Sequence, residues 1–153
     1  MNKQGHPQKP ISSLSVYKHV NKPLFAIIEL AVRPKYGGCI TQGQIHRYSE
    51  AEMQEKGIEI VKRHLDHFGR TGPTEPSEID QMEKKEAQRF FREHYVIGID
   101  LVEDKTWRMS PIKRRSNDRS AGIGAAEDMM SISPNCTNQE FYDALTSSFD
   151  KAS

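Results

Sequence analysis

The sequence predicts an α+β fold: a single domain, a mostly antiparallel sheet with two central helices and a C-terminal helix packed on it. Three observations lead there. Short segments near both ends of the chain carry strand periodicity, and the stretches between and after them carry helical periodicity behind Ser or Thr caps. The length, 153 residues, suffices for one continuous core without disulfide or metal support.

Residues 1–13 are polar and contain Pro7 and Pro10, which reads as a flexible N-terminus before a domain spanning 14–153. Leu14 to Val20 alternates apolar and polar side chains, the pattern of a half-buried strand. Pro23 to Val32 is more continuously apolar and suits a strand covered on both faces, with Asn21 to Pro23 as the turn between the two. Pro34 and the Gly37-Gly38 pair break the pattern, and Cys39 to Tyr48 reads as a short edge hairpin around Gly43. Ser49 with Glu52 forms a capping box, in which hydroxyl and carboxylate each satisfy a free N–H at the helix start. Met53, Gly57, Ile58, Val61, Leu65 and Phe68 follow at helical spacing, with Gly69 as the stop.

Ser77 caps a second helix whose Ile79, Met82, Phe90, Phe91 and Tyr95 face the core. Val96 to Val102 is a buried strand, Glu103 to Thr106 a turn, and Trp107 to Ile112 its hairpin partner, stopped or bulged near Pro111. A basic loop, then a glycine-containing flexible one, leads to alternating Asp128 to Pro134. Thr137 and Glu140 make another capping box, and Phe141, Leu145, Ser148, Phe149 and Ala152 form the inner stripe of the closing helix.

Net charge is +1, but its distribution is uneven. Residues 1–48 carry seven bases and one acid, 49–104 eight bases and fourteen acids, 105–119 six bases and one acid, and 120–153 one base and five acids. Such alternation gives strong local fields on a nearly neutral molecule, whereas a dedicated nucleic-acid binder is usually basic throughout. No apolar run approaches a secretory signal or a membrane span, so a cytoplasmic protein without membrane contact is expected. Cys39 and Cys136 show no metal or redox spacing and read as unpaired thiols.

No convincing catalytic set emerges. His64 and His67, three apart on the first helix, would present two imidazoles to one ion, with Asp66 or His94 completing the site. No second ligand pair stands at a recognisable spacing, so they read as solvated residues favoured by the helix dipole, and neither metal nor cofactor is expected. Cys39 after a double glycine, with His46 nearby, is the best nucleophile–base pair, and the cysteine reads as a buried or edge residue instead. Ala121 to Glu127 lacks the lysine and the glycine pattern of phosphate loops.

Two charged surfaces remain. Lys113, Arg114, Arg115 and Arg119 make a basic segment suited to carboxylates, because arginine's planar fork pairs with them at two points. Trp107 beside it reads as core or as an interface anchor. The rival patch is acidic, with Glu78, Asp80 and Glu83 on the second helix, and would imitate nucleic acid toward a basic partner. Base-stacking aromatics are sparse, so direct nucleic-acid contact is the alternative: a small nucleic-acid-binding or regulatory module using residues 113–119.

The C-terminal third, Val96 to Phe149, resembles the immunity proteins of bacterial contact-dependent growth inhibition (CDI) systems. The resemblance is carried by "MSPIKRR", "AGIGAAEDMMSIS" and "TNQEFYDALTSSF", with Glu140, Ala144 and Leu145 matching an E-x-x-x-A-L pattern in the final helix. Tyr142, where the family commonly has a small residue, and the arginine-rich stretch after Pro111 depart from the pattern. The resemblance implies a non-catalytic cytosolic antidote that binds the C-terminal toxin domain of a large exported protein, frequently a nuclease, and covers its active site. The expected partner-binding residues are therefore Trp107, Lys113, Arg114, Arg115 and Arg119, with Glu78, Asp80 and Glu83 as the rival patch.

Overall fold

The computed structural model describes residues 10–33, 38–73, 75–115, 118–124 and 128–153, with side chains described outside 113–127. The elements run β1 (Pro10–His19), β2 (Leu24–Val32), β3 (Cys39–Ser49), α1 (Glu50–Asp66), α2 (Glu78–Gln81), α3 (Lys84–Arg92), β4 (His94–Val102), β5 (Trp107–Arg115), β6 (Asp118–Gly124), β7 (Met130–Ile132) and α4 (Asn138–Ala152). Every pairing between strands is antiparallel, in the order β3-β2-β1-β4-β5-β6. The short β7 pairs with the start of β5, end to end with β6 on the flank away from β4.

Because successive strand residues face opposite sides, each central strand feeds two cores. Leu14, Val16, Phe25, Ile27, Ile97, Ile99, Trp107 and Met109 face α1 and α4. Tyr17, Ala26, Ile28 and Val96 face the other side, where Ile79 of α2 and Phe90 of α3 cover them. The fold is the expected single-domain α+β sheet, with helices on both faces.

Helix α1 kinks at Lys56 (φ −134°, ψ 22°), and the kink is filled from α4. The Asn138 side-chain amide donates to the Glu55 carbonyl at 2.7 Å and accepts from the Ile58 N–H at 3.3 Å, satisfying backbone groups that the break would leave unpaired. Next to it, Gly57 lets α1 approach Phe141 so closely that a Cβ there would stand 2.8 Å from the ring.

Several expectations need correction. Strand β1 begins at Pro10, not Leu14, since the backbone of Pro10 to Ser13 pairs with the end of β4 whatever its side chains; residues 1–9 lie outside the described ones. The Cys39–Tyr48 hairpin is one long edge strand with a bulge at Gly43, where φ is +71°. Helix α1 ends in a His67 cap, and Gly69 instead bridges to Ala31 of β2. The second helix is two, broken at Met82–Glu83, and Tyr95 belongs to β4. Strand β5 runs through Pro111, which lies between the end of the β7 pairing and the start of the β6 pairing. The basic and glycine-containing loops are largely the paired strands β5 and β6, with residues 116–117 and 125–127 outside the described ones.

Candidate functional site

Where β2 leaves the apolar core, its inward stripe Phe25, Ile27 continues into a carboxylate, Glu29, which is only 8% exposed. The same sheet face carries His46 and Tyr48 from β3, paired opposite Ile27 and Phe25. The last turn of α1 lies over it and supplies His64 and His67, three apart and therefore on one helix face. That turn is fixed by backbone bonds from Gly69 N–H to the Leu30 carbonyl and from Val32 N–H to the Gly69 carbonyl. Gln42 donates to the His67 carbonyl at 2.8 Å.

All three imidazoles converge on one oxygen. His64 Nδ1 and His67 Nδ1 each lie 2.7 Å from Glu29 Oε2, and His46 Nε2 lies 3.9 Å from it. His64 is 3% exposed, and its other nitrogen meets the Tyr48 hydroxyl at 2.6 Å. Arg63 donates to the same hydroxyl at 3.1 Å.

Burial pushes the Glu29 carboxyl up, but the hydrogen bonds from His64 and His67, together with the charge these imidazoles carry when protonated, outweigh it and hold it below its ordinary value. Burial is the main influence on His64 as well, and it depresses that imidazole's pKa despite the Glu29 bond. An ionised carboxylate beside a neutral His64 fits a single proton arrangement. Arg63 donates to Tyr48, Tyr48 donates to His64 Nε2, and His64 Nδ1–H donates to Glu29.

The sequence anticipated the His64/His67 pair but not its setting. Neither Asp66 nor His94 completes it. His94 lies at the start of β4, stacked on Phe90, with its Nδ1 2.7 Å from the Phe90 carbonyl. Glu29 and His46 join the pair instead, and His64 is buried rather than solvated. Cys39 and His46 are separated by seven residues of extended strand, about 20 Å, too far for a nucleophile and its base. Partial desolvation and then the Asp100 charge also raise the Cys39 thiol. Both cysteines are free.

No family model matches the chain, and no curated protein matches it. Among solved structures it is similar to a Neisseria meningitidis protein of unknown function, at 12% identity and a TM-score of 0.65, over 97% of this chain and all of that one. At that identity the likeness concerns the fold alone.

The expected partner-binding residues are spread over the molecule. Trp107 is core: 2% exposed, it packs edge-on against Phe141 at 5.7 Å, which leaves almost none of it for a partner. Glu78 accepts from the Ile45 N–H of edge strand β3 at 2.9 Å and lies 3.7 Å from Arg47. Asp80 is the carboxylate of the Ser77 capping box. Glu83 is the exposed N-cap of α3 and makes no capping bond through its side chain. Lys113, Arg114 and Arg115 lie at the end of β5, paired with Ile123, Gly122 and Asp118 of β6, which also carries Arg119; the side chains of all four lie outside the described ones. No helix among the described residues is long and apolar enough to cross a membrane.

Proposed function

We propose that this chain is a non-enzymatic immunity protein of the contact-dependent growth inhibition type, acting in the cytoplasm. It binds one cognate toxin domain, a nuclease in the first instance, and covers its active site. The observation that carries the reading is the position of the basic segment at the end of the sheet. Four bases within residues 113–119 fall on the β5–β6 hairpin, and among the described residues β6 has a strand on one side only.

A terminal strand offers a partner unpaired backbone groups, and arginines beside it select a carboxylate-bearing face through two-point bonds. Opposite charge accelerates the encounter and rejects wrong partners, while a few desolvated anchors supply most of the affinity. The acidic alternative is less available, since the carboxylates of Glu78 and Asp80 already have partners within the chain.

The test starts by finding whether a large exported protein is encoded beside this chain, and then co-expresses the C-terminal domain of that protein with it. Wild type should protect the cell, and Arg114→Glu with Arg115→Glu should lose protection while keeping the wild-type melting temperature. Full protection by the doubly reversed variant removes the hairpin from the interface. The absence of any protection by wild type removes the antidote reading.

A further inference from the structure

We propose that Glu29, His64, His67 and His46 form a binding site for a divalent late first-row metal ion, Zn²⁺ being the best fit. The ligand atoms of Glu29, His64 and His67 all lie within 4.8 Å of one another, and His46 Nε2 stands 3.9 Å from the shared carboxylate oxygen. Three imidazoles and one carboxylate, with no thiolate, suit Zn²⁺ and its neighbours, whereas Ca²⁺ and Mg²⁺ favour oxygen ligands alone.

Metal–ligand bonds of 2.0–2.1 Å at tetrahedral angles set neighbouring ligand atoms about 3.3 Å apart. The two 2.7 Å contacts must open by about 0.6 Å and the 3.9 Å contact must close by about as much; Glu29, His64 and His67 form the compact part of the site, and His46 must turn toward it to complete the set.

The proton bookkeeping also closes. Glu29 binds as its carboxylate, and each α1 imidazole moves its proton from Nδ1 to Nε2, freeing the Nδ1 lone pair for the metal. For His64 the relocated proton then points at the Tyr48 oxygen 2.6 Å away, while Tyr48 turns its own proton aside. Such an outer hydrogen bond is the usual way a metal-bound imidazole is oriented. His67, with 56% of its side chain exposed, and His46, with 33%, leave the ion a path in from solvent. Bound there, the ion ties β2, β3 and α1 together. It acts as a clamp, independent of the β5–β6 hairpin and of the proposed antidote role.

The experiment uses untagged, chelator-treated full-length protein titrated with ZnCl2 by calorimetry, with thermal melts and CoCl2 absorption in parallel. One ion should bind per chain, the melting temperature should rise, and cobalt should give the intense visible bands of a four-coordinate site. His67→Ala, at an exposed position, should melt like the metal-free wild type and bind at least about tenfold more weakly. Glu29→Gln, near-isosteric, should likewise lose the zinc-dependent rise, and His46→Ala should shift the cobalt bands. Zinc binding that these variants leave unchanged, or no stoichiometric binding of zinc or cobalt by wild type, overturns the proposal.

Discussion

Replacing Gly57 by Ala tests how closely α1 and α4 are fitted. An added Cβ would lie 2.8 Å from both Cδ2 and Cε2 of Phe141, 0.6 Å inside the 3.4 Å at which ordinary contact begins. Phe141 is fully buried and has Trp107 against it edge-on, so its ring cannot simply retreat. Overpacking of this kind costs about 1–3 kcal/mol. Alanine's helical advantage over glycine, about 1 kcal/mol, opposes it but is only partly realised beside the kink at Lys56. The net loss should be about 1–2 kcal/mol, lowering the melting temperature by roughly 2–8 °C for a chain of this size. Urea unfolding followed by circular dichroism measures it. Phe141→Leu shrinks the obstructing ring, so the double variant should fall short of the summed single losses by about 1 kcal/mol. A neutral or stabilising Gly57→Ala, or strict additivity in the double variant, would refute the close-approach argument.

Two further outcomes follow from the helix ends. Asn138→Ala removes both bonds that fill the α1 kink and should cost about 1–3 kcal/mol; an unchanged unfolding midpoint would mean that water replaces the side chain without loss. Glu140 is held below the ordinary glutamate range, first by its bond from the Thr137 backbone N–H and then by the Thr137 side chain. A depressed folded-state pKa gives a contribution that is whole above the unfolded value, about 4.3, and is lost as pH falls through the folded one. Amide exchange in the first turn of α4, corrected for intrinsic rates, should therefore rise on acidification below that range. Glu140→Gln should remove the dependence, and identical profiles for the two proteins would contradict it.

Features written in local sequence were legible: the capping boxes at Ser49/Glu52 and Thr137/Glu140, the Ser77 cap, the alternation of β1 and the inner stripe of α4. Features set by distant partners were not. Nothing in the residues around Glu29 announces a carboxylate under a helix end, because its partners come from β3 and α1, and the Gly43 bulge sets the register between β2 and β3 on either side of it. Strand β6 resembles a loop in sequence because its Arg, Ser, Ala and Gly residues have poor strand propensity; pairing with β5 overrides that preference. Trp107 shows the converse. Its strand position leaves both core and interface open, and packing against Phe141 decides for the core.

In the proposed mode of action, the β5–β6 hairpin docks onto a toxin domain. Amide hydrogen exchange on the purified complex with that domain tests it most directly. Docking through the hairpin should slow exchange chiefly in β6, Asp118–Gly124, and the adjoining end of β5. A stable complex that leaves this hairpin's exchange unchanged, with protection appearing elsewhere on the chain, would contradict it.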